Sequence, residues 1–535
     1  MDMSTILTIV SLLLIDLISI RWVPLGKWMA PLATVLAQIN YHLFFGMDNA
    51  TLILLWLQLP FWSFHLILLG AVATRRSASQ KNRYRASIRT TGGPLVLENI
   101  RRGVSVIGAA GSGKTESVVA AFLEHFAKHG FSGVIHDYKD FEIAGMAYPL
   151  FDGKGIPFYL VSFGPFHDRI NPIAPAYLPN EESVHAMARV LMDNLLERED
   201  GQRSGAARFF DDAVEGLLAG IIWRLRTDFP GFCSLPHLMA LYQTLDLEAL
   251  ARFLSDDIVS KAMADAFLSS VPSPRQLAGI RATLSNALKK IATKGIFWTL
   301  GYDGVPLDIN QKSSPAILCL VNHPRNGTSL SPVISAVIHS TIQCMSLVGQ
   351  RPSFLLMEEA PTIRLPEMHR IPATLRGYDI LTLYVMQDKI QNDIVYGEKK
   401  ARAILANLSY QFFGKANDPD TAKYYERFFE PIKKRTTTIS RGIGLGFDTR
   451  ISKGEKEVAK MRADAFFRLD QGEFVVFHDG KDRKVRFKAP RLGKRLPRPK
   501  KIGAMELERN FRRIHKEVRD HFSRLYPPSP PGYKG

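Results

Sequence analysis

Cysteine is scarce: Cys233, Cys319 and Cys344 are the only three in 535 residues. They lie far apart and fit no metal spacing, which excludes a disulfide scaffold or a thiolate zinc module and leaves reduced packing residues of a cytosolic compartment. His136, His167 and His323 show no ligand spacing either and read as structural. No internal repeat is present, which excludes a solenoid or propeller. Acid is short as well: 51 Asp+Glu stand against 69 Lys+Arg, a formal net charge of +18. Such an excess points to an acidic partner, nucleic acid or anionic lipid.

Charge is missing altogether from Thr51 to Thr74, and Ile6 to Ile20 is apolar apart from Asp16. About 20 apolar residues at 1.5 Å each cross a hydrocarbon core of about 30 Å. Both runs are therefore expected to span a membrane, with Asp16 facing a partner helix. The start, Met1-Asp2-Met3-Ser4, has no positive charge and no small-residue cleavage site follows, which argues against a cleaved signal. Trp28 to Gly46, broken by Pro31, Gln38, Asn40 and His42, reads as a periplasmic or interfacial segment, with a third span as the alternative. Arg75, Arg76, Lys81, Arg83, Arg85 and Arg89 follow the second run, and positive charge beside a span stays cytoplasmic. The expectation is a hairpin with the bulk of the chain in the cytoplasm.

What is present first of all is Gly108-Ala109-Ala110-Gly111-Ser112-Gly113-Lys114-Thr115. Two glycines four residues apart, then Lys-Thr, form a phosphate-cradling pattern. Val104 to Ile107 before it reads as a buried strand; Val118, Val119, Phe122, Leu123 and Phe126 after it share one helix face. In that context the backbone amides and the helix start attract a triphosphate. Lys114 would reach the β- and γ-phosphates, and Thr115 would hold Mg²⁺. The expected cofactors are ATP and Mg²⁺.

Further apolar runs are expected as strands: Gly133 to His136, Phe158 to Val161, Pro315 to Val321, Phe354 to Met357, Ile380 to Val385, Gln411 to Phe413 and Phe474 to Phe477. Helical patterns separate most of them, so the fold class is α/β with a mainly parallel sheet covered on both faces. Glu181 to Thr299 breaks the rhythm with helical stripes alone, such as Phe210, Val214, Leu217, Leu218, Ile221 and Leu225, and reads as an all-helical insertion. Lys481 to Lys500 holds ten Lys/Arg and one Asp, and Pro527 to Gly532 reads as a disordered tail.

Glu358 and Glu359 end an apolar strand, where P-loop enzymes bring carboxylates to the metal and the attacking water. Glu358 takes the metal role and Glu359 the base role. Gln387 follows another strand, either sensing the γ-phosphate or lying on the surface. Asp137 and Lys139 sit at the same sheet edge, as site residues or as a surface ion pair. Arg376 is a candidate arginine finger from a neighbouring subunit, although composition alone singles out no arginine. Lys433, Lys434, Arg435 and Arg441 either line a DNA path or form a solvated basic face.

Taken together, these segments resemble the type IV secretion coupling proteins, the TraD/TraG-like conjugative DNA-transfer ATPases. The likeness runs through the N-terminal hairpin, the P-loop, Val134 to Asp140, Asn171-Pro172, Glu358-Glu359, Arg376-Gly377-Tyr378, and Val385-Met386-Gln387. It continues through Ala406-Asn407 to Thr421-Ala422, with Asn417-Asp418-Pro419, and through Leu469 to Glu473. Two departures stand out: Glu358 replaces Asp, and Tyr138-Lys139-Asp140-Phe141-Glu142 replaces a Pro-Lys-Gly-Glu run. The resemblance implies a RecA-like domain carrying a small all-helical domain, assembled as a hexamer at the bacterial inner membrane. It implies ATP-driven handling of DNA of any sequence, as a relaxase–DNA complex, or of protein cargo, for inner-membrane components of a secretion channel. It suggests Arg376 as the residue acting in trans and Gln387 as the sensor.

The boundaries that follow are 1–74 for the transmembrane region, with spans at about 5–22 and 51–73, and 75–100 for a basic linker. Residues 101–180 and 300–490 form the nucleotide-binding domain, 181–299 the all-α domain and 491–535 a basic, Pro-rich tail. A second reading is a nucleotide-gated receptor or scaffold with weak or no motor activity, motivated by Glu358.

Overall fold

Uncharged runs rich in branched and aromatic residues build the centre of this protein. The computed structural model describes residues 83–196, 205–429, 431–441 and 449–528, with backbone alone at 205–208, 431–441 and 449–459. The hairpin expected within residues 1–74 lies outside the described residues. Among those described, no helix is long and apolar enough to cross a membrane.

After a small antiparallel pair, β1 (Ala86–Ile88) and β2 (Leu95–Leu97), the chain enters the main sheet. Its strands are β3 (Val104–Ile107), β4 (Ser132–Asp137), β5 (Phe158–Val161), β6 (Ile317–Val321), β7 (Ser353–Met357), β8 (Ile380–Met386) and β9 (Tyr410–Phe413). A separate hairpin, β10 (Pro431–Arg441) and β11 (Thr449–Ala459), follows, and β12 (Glu473–His478) and β13 (Lys481–Arg486) return to the sheet. The nine-stranded order is β13-β12-β9-β3-β8-β7-β4-β6-β5. From β9 to β5 all neighbours are parallel; β12 joins β9 and β13 antiparallel. Strand β8 thus lies between the P-loop strand β3 and the acidic strand β7.

The strands read as continuous apolar runs because both sheet faces are covered. Alternate residues supply two separate cores: in β8, Leu381, Leu383 and Val385 face one, and Ile380, Tyr384 and Met386 the other. The first core takes Phe122, Leu123 and Phe126 of helix Ala120–His129, and Ile143 and Phe151 of helix Glu142–Phe151. The second takes helix Gly327–Met345 and the helical region.

Between β5 and β6 the described residues form helices and no strand. Helix Glu181–Leu195 opens with a capping box, in which the Asn180 side chain accepts from Ser183 N at 3.0 Å and Ser183 Oγ accepts from Asn180 N at 3.2 Å. Helix Gly205–Thr227 follows, burying Val214, Leu217, Leu218, Ile221 and Leu225.

The stretch expected as a basic, Pro-rich tail holds one regular element among its described residues. It contains helix Ala504–Leu525, with Ile514, Val518 and Phe522 buried against the helical region. These residues recur every fourth position, so one narrow stripe packs while the arginine-rich remainder meets water. Tyr526 accepts from Arg224 Nη2 at 2.8 Å and donates to Asp256 at 2.7 Å, anchoring the helix end.

Candidate functional site

Parallel strands all end at one sheet edge, and ligands bind outside those carboxyl ends. Here that edge collects Gly108 after β3, Asp137 at the end of β4, Glu358 after β7 and Gln387 after β8.

The P-loop is spliced to its neighbours: Gly108 N donates to Met386 O at 3.2 Å and Ala109 N to Lys415 O at 2.7 Å. Gly111 and Gly113 have φ of 74° and 86°, left-handed values that favour glycine. At Gly113 space matters too, since an added Cβ would lie 2.9 Å from Gly472 N. Gly472 N itself donates to Ser112 O at 2.9 Å, so the Leu469–Glu473 segment braces the loop. Lys114 is 4% exposed, and its Nζ donates to Gly108 O at 2.5 Å and Ala109 O at 3.3 Å. Burial lowers its pKa, opposed chiefly by the Glu359 charge.

Thr115 Oγ1 donates to Glu358 Oε1 at 3.0 Å, across two strands of the sheet. Glu358 is fully buried, and its Oε2 has no partner among the described residues. Burial raises its pKa against the pull of Lys139. A hydroxyl and a carboxylate side by side, with one carboxylate oxygen unsatisfied, fit a hard divalent cation such as Mg²⁺. Among the described residues no three His, Cys, Asp or Glu converge on one metal position. Such a cation would rely on phosphate oxygens and water for its other ligands, which is the usual habit of Mg²⁺.

Glu359 is 2% exposed and has φ of 45°, left-handed for a non-glycine residue. Strain of this kind costs about 1–3 kcal/mol and clusters at functional sites. Thr362 holds the turn, donating to Glu359 O from N at 2.8 Å and from Oγ1 at 2.7 Å. Gln387 Nε2 donates to Glu359 Oε1 at 3.2 Å. Gln387, half-buried, thus lies beside Glu359 at this edge.

Lys139, weighed from sequence as a site residue or as part of a surface ion pair, reaches both acids: Nζ is 3.3 Å from Glu358 Oε1 and 3.5 Å from Glu359 Oε1. Burial pulls its pKa down, but the two carboxylates outweigh burial and raise it. Asp137 is buried and accepts from Lys139 N at 3.2 Å and Ala144 N at 2.8 Å. Burial first, then Glu358, pushes its carboxyl up to about 7. The sequence brought Asp137 and Lys139 to this edge, but the contact of Lys139 with both acids depends on β4 and β7 being sheet neighbours.

Arg376 does not join this group within one chain. It is exposed at the end of helix Ile371–Arg376, before β8. The length of β8 separates it from Gln387, about 20 Å at 3.3 Å per residue. Lys433, Lys434 and Arg435 lie on β10 in the separate hairpin, opposite Glu457, Lys456 and Glu455. Among the histidines, His136 is buried with both ring nitrogens unpartnered among the described residues and is pushed down to about 4 by burial. His167 Nδ1 lies 2.7 Å from Ser162 Oγ, and His323 Nδ1 accepts from Arg325 N at 3.0 Å.

Residues 352–471 match the family model described as the TraM recognition site of TraD and TraG. No curated protein sequence matches the chain. Among solved structures, the unbound bacterial conjugative coupling protein TrwBdeltaN70 superposes with a TM-score of 0.61 at 16% identity, covering 77% of this chain and 90% of that one. The plasmid coupling protein TrwB in complex with ADP and Mg²⁺ gives 0.59 at 16%, covering 77% and 91%. TrwB with the ATP analogue ADPNP gives 0.56 at 17%, covering 74% and 87%. The fold is thus TrwB-like, and with the matched segment the chain resembles the type IV coupling proteins.

Proposed function

We propose that the protein is a membrane-anchored ATPase motor that couples relaxase-bound DNA, or a protein substrate, to a type IV secretion channel during conjugative transfer. The observation that carries this reading is the convergence of Lys114, Thr115, Glu358, Glu359 and Gln387 on one buried edge. TrwB complexes with ADPNP and with ADP and Mg²⁺ support the same nucleotide chemistry here.

Mg²⁺ bound with the triphosphate supplies charge neutralisation at the transferred phosphoryl group. Thr115 and Glu358 hold that ion, and Lys114 holds the β- and γ-phosphates. Glu359 takes the proton of the attacking water, and Gln387, bonded to it, reports whether the γ-phosphate is present. Arg376 lies at the opposite sheet edge, so it serves a neighbouring copy in a head-to-tail ring, a hexamer in this proposal. The +18 charge favours DNA of any sequence through phosphate contacts. A TraM-like relaxosome protein is a fitting partner for residues 352–471. The N-terminal hairpin places the assembly on the inner membrane with the sheet domain in the cytoplasm.

The test is phosphate release by the full chain with and without DNA. DNA-stimulated hydrolysis, abolished by Lys114→Ala, is expected; oligomeric protein that hydrolyses nothing with any DNA refutes the motor. Glu358 favours a second reading, a nucleotide-gated receptor or scaffold, because Thr115 and Lys139 already occupy its Oε1. Equal transfer by wild type and Glu359→Gln would select that reading.

A further inference from the structure

Lys139 is the cation that the catalytic scheme leaves without a task. We infer that Lys139 is a positioning residue: its ammonium holds Glu358 and Glu359 together by one oxygen each, so that each acid presents its second oxygen to the metal and to the attacking water. The inference rests on the ATPase reading and deepens it.

The local chain is built to deliver this one ammonium. The carboxylate of Asp137 closes the turn on itself, accepting from Lys139 N and from Ala144 N at 3.2 and 2.8 Å. Within that turn Asp140 and Phe141 have φ of 51° and 69°, two consecutive left-handed residues that are not glycine. Strain of this kind is kept where the surroundings over-determine it, commonly at functional sites. The Phe141 ring lies 5.7 Å from that of His167, and Gly145 N donates to Phe141 O at 2.9 Å, which hold the turn in place. The result is a side chain that enters from the solvent side, 37% exposed, and ends between carboxylates that are 0% and 3% exposed.

The contacts fall on one oxygen of each acid. Thr115 Oγ1 and Lys139 Nζ both meet Glu358 Oε1, at 3.0 and 3.3 Å, while Oε2 is unpartnered among the described residues. Gln387 Nε2 and Lys139 Nζ both meet Glu359 Oε1, at 3.2 and 3.5 Å. Two holds on a single oxygen fix a carboxylate rotamer and free the other oxygen for work. Outer partners of this kind, which orient the groups that touch metal and substrate, alter activity by about 10- to 100-fold when removed.

The test compares the full chain with Lys139→Met and Lys139→Arg. For Lys139→Met, kcat for ATP hydrolysis falls about 10- to 100-fold, while the affinity for a fluorescent ADP stays near wild type. Lys139→Arg, which keeps the charge, recovers much of the loss. Without nucleotide, amide hydrogen exchange across residues 357–365 quickens in Lys139→Met, because the acids lose their clamp. Wild-type kcat in Lys139→Met, or unchanged exchange, overturns the inference and leaves the ATPase reading standing. ADP affinity and kcat falling together, with no recovery in Lys139→Arg, would show a merely structural ion pair and also overturn it. A wild-type chain that never hydrolyses ATP removes the ATPase reading, and the inference with it.

Discussion

Replacing Glu359 by Gln removes one charge and almost no volume, which makes it the sharpest probe of the proposed chemistry. Gln keeps an acceptor for Gln387 Nε2, now 3.2 Å from Glu359 Oε1, and fits a position that is 2% exposed. It cannot take a proton from water. General-base catalysis contributes about 10²- to 10⁴-fold, or about 2.7–5.5 kcal/mol at 1.36 kcal/mol per decade. Stability should move far less. The lost ion pair is to Lys139, which keeps Glu358 Oε1 at 3.3 Å, so neutralising Glu359 leaves no buried charge unpaired and costs about 1 kcal/mol. The melting temperature then shifts by no more than about 2–4 °C. The assay is steady-state phosphate release with saturating DNA, alongside binding of a fluorescent ATP. Hydrolysis reduced by at least about 10² with binding intact is the expected outcome. Hydrolysis at the wild-type rate refutes the base role of Glu359, and loss of binding assigns it to holding nucleotide instead.

Other perturbations follow from the same geometry. Arg376→Ala alone should lower hydrolysis by about 10³-fold or more with nucleotide binding intact, and mixing it with Lys114→Ala chains should restore part of the rate, measured as phosphate release across mixing ratios. Asn194 clamps the segment after Glu359, its Nδ2 donating to Arg364 O and its Oδ1 accepting from Arg364 N, both at 2.8 Å. Asn194→Ala leaves that backbone pair unmet, costing about 1–3 kcal/mol, to be read as a lower melting temperature. His136 is buried neutral, pushed down from 6.5 to about 4, so the unfolded chain binds its proton first and stability is lost as pH falls from 6.5 toward 4. His136→Leu lacks this loss, and the melting difference between variant and wild type should therefore widen in its favour between pH 7 and pH 5.

The strands β3 to β9 and β12 were legible because each is apolar along its length, as a strand covered on both faces must be. β13, Lys-Asp-Arg-Lys-Val-Arg, was not, because an edge strand carries charge on its exposed side and shows no apolar run. The hairpin β10–β11 hid for a similar reason: its register sets Lys433 opposite Glu457 and Arg435 opposite Glu455, so the sequence shows charges rather than alternation. Helix Ala504–Leu525 buries a narrow stripe of Asn510, Ile514, Val518 and Phe522, and its many arginines masked the period. In the site, the P-loop was legible because its function depends on consecutive residues. The edge position of Lys139 was legible as well, but its contact with both acids was not, since that depends on β4 lying beside β7. Nor does spacing tell that Arg376 sits at the edge opposite its own P-loop, which follows from the parallel direction of β8.

The central claim is that a buried ammonium and a braced glycine loop grip a triphosphate with its metal. Isothermal titration of ATP and Mg²⁺ into the folded full chain tests it most directly. A saturable heat that Lys114→Ala abolishes and that weakens without Mg²⁺ is the predicted result; no heat from folded wild type, or equal heat from Lys114→Ala, contradicts it.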